Sequence, residues 1–305
     1  MSLIPDYLAL LCTEIRTKFE AIRALGLRVL TVYIGGGTPT ILTAEQLRVL
    51  LETVAECTDV SALREYTLES GRPDTINAEK MAIAKALGVT RVCVNPQTLC
   101  DEVLQGVGRC HSAADFYRAY TIARESGIDC INTDLIVGLP GDDFKSFAET
   151  YEQILRLDPE NVTVHTFCVK KSAEILREGK RVYNLRGGDA GKCVDYSQIR
   201  AAEEGYLPYY MYRQKNMVGN FENVGFAKPG TECLYNIYMM EEVHSIFAAG
   251  AGAVTKLVDY APAGSGKKSV IERLFNDKYP YEYLNGDGGK SQAEQILKFY
   301  KSRGF

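Results

Sequence analysis

The chain has 305 residues, 46% of them apolar and 24% charged, with a net charge of −4. That composition fits a globular protein with room for one large α/β domain or two smaller ones. Dispersed Lys and Arg argue against nucleic acid or a membrane surface as partner, and no apolar run nears the roughly 20 residues of a membrane helix. The start, Met1-Ser2-Leu3-Ile4-Pro5, lacks the basic and apolar regions of a signal peptide.

Leu8, Leu11, Ile15, Phe19 and Ile22 recur at helical spacing and predict a first helix over 6–25. A strand over 27–34 follows, then the glycines Gly35-Gly36-Gly37. Thr43 and Gln46 have the spacing of a capping box, ahead of a helix with Leu47, Leu50, Leu51 and Val54 on one face. The next strands are read at 65–69 and 90–94, with Pro73 opening the helix between them. Ser112 caps a helix that carries Phe116 and Tyr120. A strand over 130–137 ends in Gly138-Leu139-Pro140-Gly141, a helix with Phe147, Tyr151 and Ile154 follows, and 161–167 is the last clear strand. Five βα units in succession predict a parallel sheet or barrel, with strands apolar on both faces.

After Lys171 the alternation weakens. Residues 184–192 read as a loop, and 208–231 lack helical periodicity. The expected organisation is an incomplete barrel over 1–183 and a smaller α+β region over 184–305 that closes the barrel mouth.

The nine cysteines are widely spaced and none forms a C-x-x-C pair. They read as reduced thiols in a cytoplasmic protein and offer no zinc or cluster motif. Cys93, between two valines, reads as packing. Cys110-His111 reads as the run-in to the Ser112-capped helix rather than a metal pair.

In parallel βα arrays chemistry gathers at the C-terminal strand ends. There the sequence places Gly35–Thr38, Glu69, Gln97, Asp134, His165 and Lys170. Naked glycine backbone lets a small ligand touch the chain itself. The segment matches neither the G-x-G-x-x-G spacing of dinucleotide-binding folds nor a phosphate loop, which needs Lys and Ser/Thr. Glu69 and Asp134 on different strands suggest one shared polar ligand, because a buried carboxylate needs a partner. Arg109 could answer a carboxylate on it. Each residue has a structural alternative: Glu69 pairing with Arg72, Asp134 capping a helix, His165 a satisfied strand-end histidine.

Gly35-Gly36-Gly37-Thr38-Pro39-Thr40, Glu69, Asn95-Pro96-Gln97-Thr98, Gly108-Arg109-Cys110-His111 and Asp134-Leu135-Ile136-Val137-Gly138-Leu139-Pro140-Gly141 stand in the order and spacing of a known family. Together they resemble the oxygen-independent coproporphyrinogen III oxidases of the radical S-adenosylmethionine (SAM) superfamily. The stretch from Pro208-Tyr209-Tyr210-Met211-Tyr212-Arg213 to Pro229-Gly230 resembles its coproporphyrinogen dehydrogenase branch, called HemZ. The resemblance implies a partial (β/α)6 barrel holding SAM and a 4Fe-4S cluster. It implies that the Gly36, Gly37 and Thr38 backbone meets the methionine amino group. Glu69, Gln97, Arg109 and Asp134 would line the rest of the SAM site, with Asp134 on the ribose. The implied activity is reductive SAM cleavage followed by oxidative decarboxylation of porphyrinogen propionates to vinyl groups, with an electron donor such as flavodoxin or ferredoxin. Tyr209, Tyr210, Tyr212 and Arg213 are substrate-side candidates, Arg suiting a propionate; the alternative is a Tyr-rich packing strand.

The family binds its cluster through C-x3-C-x2-C just before the helix with which this chain begins. The resemblance therefore implies that the cluster cysteines and first barrel strand lie upstream of Met1, and that this chain by itself binds neither SAM nor a cluster and is inactive. A natural cluster-free homologue is the alternative. Two rival functions stay open: a haem-binding or haem-trafficking protein on the same fold, and a SAM-binding barrel without redox role. The only histidines are His111, His165 and His244, none in a haem motif.

Overall fold

The computed structural model describes residues 3–168, 188–213, 217–261, 266 and 268–304. The strands are β1 (Thr31–Ile34), β2 (Glu65–Leu68), β3 (Arg91–Cys93), β4 (Cys130–Val137), β5 (Asn161–Thr166), β6 (Leu207–Tyr212), β7 (Asn223–Ala227), β8 (Val254–Asp259) and β9 (Val270–Phe275). The α-helices are α1 (Ile4–Ala24), α2 (Ala44–Cys57), α3 (Ala78–Ala86), α4 (Asp101–Gly106), α5 (Ala113–Glu125), α6 (Phe144–Leu157), α7 (Gly188–Glu203), α8 (Leu234–Glu241), α9 (Pro280–Tyr283) and α10 (Lys290–Lys301).

β1 to β5 lie side by side in chain order, all parallel. The sheet curls as an incomplete barrel. Thr43 and Gln46 form the expected capping box on α2, and Ser112 forms one with Asp115 on α5. Two features of the element layout differ from the sequence reading. Residues from Gly188 onward are helical, in α7, not loop. And β7 pairs antiparallel with β5, and β6 with β7, so both extend the same seven-stranded sheet. The expected boundary at 183/184 lies outside the described residues. The other edge, at β1, has no strand partner among the described residues; the Tyr33 ring there stacks on Tyr235 of α8 at 4.1 Å.

The strands are not apolar on both faces. Their outward side chains, among them Leu68, Val92, Ile131, Leu135 and Val164, pack under the helices in the main core. The inward side chains are mostly polar, Thr67, Arg91, Asn132, Asp134, Thr163 and His165, with Tyr33 and Cys93 among them. A side-chain period of two separates the faces.

The inner floor is tied by a buried ion pair. Glu65 accepts from Arg91 Nε at 3.2 Å and from the N–H groups of Leu234 at 2.9 Å and Tyr235 at 3.2 Å. A carboxylate suits a helix N-terminus, where N–H groups lack partners. Arg91 also donates to the carbonyls of Thr231 at 2.7 Å and Glu232 at 3.2 Å, and to Asn161. These bonds lay α8 across the concave face. The β8–β9 hairpin and α10 form a second small core with Ala21 of α1.

Candidate functional site

The first wall is the glycine turn after β1. A side chain at Gly35 would meet the Tyr33 ring at 2.4 Å and Glu69 Oε2 at 2.7 Å, so only glycine fits. Gly36 has φ +103°, which L-residues rarely adopt. Its N–H and the Tyr33 hydroxyl donate to the Glu69 carboxylate. Glu69 does not pair with Arg72, which pairs with Asp74 at 2.7 Å. Burial, and then the charge of Asp134, push the Glu69 carboxyl up to about 7.

Asp134 points from the middle of β4 into the same space. Asn95 Nδ2 donates to it at 2.9 Å and Asn132 Nδ2 at 2.7 Å, and His165 Nε2 lies 3.5 Å away. Burial acts to raise its carboxyl, but hydrogen bonds from His165, Asn132 and Thr163 outweigh it and hold it below the usual range. It caps no helix. Two carboxylates thus face one cleft in different protonation states: Asp134 is ionised, and Glu69 is poised near neutrality.

Gln97 holds a left-handed conformation, φ 67°, rare for a side chain-bearing residue. Its N–H donates to the Asp134 carbonyl at 3.1 Å, and its own carbonyl accepts from Ile136 at 2.9 Å. Buried His111 faces the Pro96 carbonyl through Nε2 at 3.1 Å, so it braces this turn. Arg109 lines the cleft, its guanidinium lowered by burial and by the Arg72 charge. It makes no ion pair among the described residues.

Two cavities meet here. The polar one, about 330 Å³, is lined by Gly37, Thr38, Asn95, Gln97 and Arg109. The deeper one, about 390 Å³, lies under α8 and β6. Glu69, Asp134 and His165 border both. Ligand sites are commonly of this size. The structure thus gathers Gly36, Gly37, Thr38, Glu69, Gln97, Arg109 and Asp134 on one rim. Of the substrate-side candidates, Tyr210 and Tyr212 line the deep cavity. Tyr209 sits behind them, its hydroxyl accepting from Asn236 at 3.1 Å, and Arg213 pairs with Glu222. Cys93 packs as expected but also borders the deep cavity. His244 stacks on Tyr238 at 4.1 Å. Lys170 lies outside the described residues.

Sequence reasoning missed Asn132 and the α8 residues. Asn132 was readable in principle, two positions before Asp134 on the same strand face. The approach of α8 is a long-range contact with no local signal.

A parallel, incomplete α/β barrel with polar groups at the C-terminal strand ends defines a class of ligand-binding barrel proteins. The profile of the Radical SAM superfamily matches residues 4–154. The chain is 40% identical over 272 residues to the oxygen-independent coproporphyrinogen-III oxidase-like protein HemZ of Bacillus subtilis, covering 88% of this chain and 53% of that one. It is 32% identical to the heme chaperone HemW of the same bacterium, covering 88% and 68% of the two chains. The structure superposes on the coproporphyrinogen III oxidase HemN of Escherichia coli with a TM-score of 0.70 at 21% identity, over 95% of this chain and 63% of that one. The chain belongs to the radical SAM superfamily. It spans about half the length of its HemZ relative.

The superfamily implies SAM and a 4Fe-4S cluster. The glycine turn that holds Glu69, and the ionised Asp134, fit an amino acid and a ribose. The cluster does not fit: among the described residues no group of three Cys, His, Asp or Glu side chains could hold a metal. No helix among them is long and apolar enough to cross a membrane.

Proposed function

We propose that the polar cleft binds SAM and that the protein to which this chain belongs oxidatively decarboxylates a porphyrinogen. The observation that carries the reading is the convergence of Glu69, Asp134, Arg109 and the glycine turn on one polar cleft. The Gly36–Thr38 backbone and ionised Glu69 would receive the ammonium of the methionine moiety. Asp134, fixed by Asn95 and Asn132, would accept from the ribose hydroxyls, and Arg109 would meet the methionine carboxylate. SAM supplies the power to remove hydrogen from an unactivated carbon. The chain's own part is to orient the ligand and keep water out. Cluster ligands are not assigned to these residues. A flavodoxin- or ferredoxin-type donor and a cytoplasmic setting belong to the same reading, as does inactivity of this chain without a cluster.

The likeness to HemZ supports the porphyrinogen substrate; the likeness to HemW supports a second reading, haem carriage. Of the three histidines, His165 alone borders the cavities. Anaerobic incubation of the natural, cluster-reconstituted protein with SAM, reductant and coproporphyrinogen separates the two. Vinyl product supports the oxidase. A haem absorption band without product, lost in His165→Ala, supports carriage.

A further inference from the structure

Glu69 can receive a cationic group in the polar cleft only while it is charged, and its surroundings oppose that charge. It is buried beside the Asp134 carboxylate, and both conditions favour its neutral form. The groups that face it are Tyr33 from β1, Cys93 from β3, Asp134 from β4, His165 from β5 and Tyr235 from α8, and Arg72 and Arg109 line the same cleft. Two donors meet the carboxylate directly, the Gly36 N–H and the Tyr33 hydroxyl. A donor to a carboxylate favours its charged form. The Gly36 N–H is fixed in the backbone. The Tyr33 hydroxyl stands at the tip of a side chain and donates only while its ring stays in place.

What keeps the ring in place comes from far along the chain. β1 has no strand beyond it among the described residues, and the Tyr33 ring is stacked on Tyr235 of α8, with centroids 4.1 Å apart and planes 18° from parallel. Tyr235 is itself pinned: its N–H donates to Glu65 Oε1 at 3.2 Å, and Arg91 holds Glu65 at 3.2 Å. Gly35 leaves the gap in which ring and carboxylate meet. A Cβ there would stand 2.4 Å from the ring and 2.7 Å from Glu69 Oε2. An ion pair on the barrel floor, one aromatic stack and one hydroxyl thus form an unbroken line of contacts to Glu69.

We propose that Tyr33, clamped by Tyr235, is a positioning residue that aims the Glu69 carboxylate into the polar cleft to receive a ligand ammonium. By donating to it, Tyr33 also favours the charged carboxylate that an ammonium needs. The identity of the ligand rests on the SAM reading; the action of Tyr33 on Glu69 does not.

The first test needs no ligand: carbon-13 NMR titration of the Glu side-chain carboxyls in this chain, with Glu69→Gln to identify the signal. In Tyr33→Phe, which keeps the ring and the stack, Glu69 should titrate about one pH unit higher, the effect of losing one hydrogen bond to a charged group. Tyr235→Ala removes the clamp and should move the titration in the same direction, whereas Tyr235→Phe keeps the stack and should leave it in place. A merely structural Tyr33 would change the melting temperature and leave the titration unmoved, and that result overturns the proposal. A shift in Tyr33→Phe without one in Tyr235→Ala overturns the clamp. Calorimetric titration of SAM at pH 7 into the natural, cluster-reconstituted protein judges the ligand separately. There Tyr33→Phe should weaken SAM binding about fivefold, because the ionised fraction of Glu69 falls by about that factor. No SAM binding by the wild-type protein, with the NMR shift present, overturns the SAM reading and leaves the action of Tyr33 standing. Equal SAM affinity in the two proteins, with the titration unmoved, overturns Tyr33 and leaves the SAM reading.

Discussion

Asn95 and Asp134 hold each other from both ends. The Asn95 amide donates to the Asp134 carboxylate at 2.9 Å, and its carbonyl accepts the Asp134 N–H at 3.1 Å. The loop after β3 and the strand β4 are locked in register by one side chain, which also aims the carboxylate. Asn95→Ala should cost roughly 1 to 3 kcal/mol, the penalty for buried partners left unpaired. SAM affinity should fall with it. Chemical denaturation and calorimetry read the two effects.

Glu69 makes ligand binding sensitive to pH. Its folded value of about 7 lies above its ordinary 4.5. Its contribution to folding is therefore fully present below about 4.5 and is lost as pH rises through about 7. Binding runs the opposite way, because an ammonium requires the ionised carboxylate. SAM affinity should rise between about pH 6 and about pH 8, and Glu69→Gln should flatten the rise. Calorimetry across that range checks it; an unchanged slope in Glu69→Gln assigns the effect elsewhere.

Gln97 stores backbone strain beside the cleft. A left-handed residue with a side chain costs on the order of 1 kcal/mol or more, and such strain gathers at functional sites. Gln97→Gly should raise stability by up to about 1 kcal/mol while lowering SAM affinity several-fold. A melting curve and a titration on the same variant show whether stability and binding move in opposite directions.

Far from the site, Glu14 and Lys18 of α1 form a buried ion pair at 2.7 Å, with side chains 2% and 3% exposed. Glu14 also accepts from Gly250 N–H at 2.9 Å, Asn276 Nδ2 at 2.8 Å and the Tyr283 hydroxyl at 2.7 Å. Burial acts to raise its carboxyl, but Lys18 and these donors outweigh it and hold it below the usual range. Its contribution is present above about pH 4.5 and fades as pH falls further. Glu14→Ala leaves the buried Lys18 ammonium with only the neutral acceptors Ala248 and Gln292 and no counter-charge in contact, and should cost about 3 to 5 kcal/mol. Urea denaturation measures it, and the helix–hairpin contact should loosen first.

The parallel series was legible because each unit carries its own punctuation. Thr43 with Gln46 and the Ser112 cap are local signals, and the strands between them are short and rich in Val, Ile and Leu. The antiparallel return through β7 and β6 was not legible. Pro208 and Gly225 interrupt any strand pattern there, and a side chain at Gly225 would meet the Tyr210 ring at 2.1 Å, a constraint visible only once the strands pair. The rim residues Glu69, Gln97 and Asp134 could be placed together from topology alone. What holds them could not: the expected partner of Glu69 was Arg72, three residues on in the sequence, whereas Tyr33 comes from the neighbouring strand β1 and Gly36 from the turn after it. Cys93 shows the same gap. Its flanking valines read as packing, yet alternation turns it toward the cavity.

Calorimetric titration of SAM into the natural, cluster-reconstituted protein and its Glu69→Ala and Asp134→Ala variants tests the central claim most directly. Each carboxylate should hold one polar group of the ligand, and losing a charged hydrogen bond costs roughly 1.5 to 3 kcal/mol, about a tenfold to hundredfold drop in affinity. Cys93→Ala serves as the control, expected to lower stability and leave SAM affinity unchanged. Affinity unchanged in both carboxylate variants, with the fold intact, would contradict the account and make the strand-end acids structural.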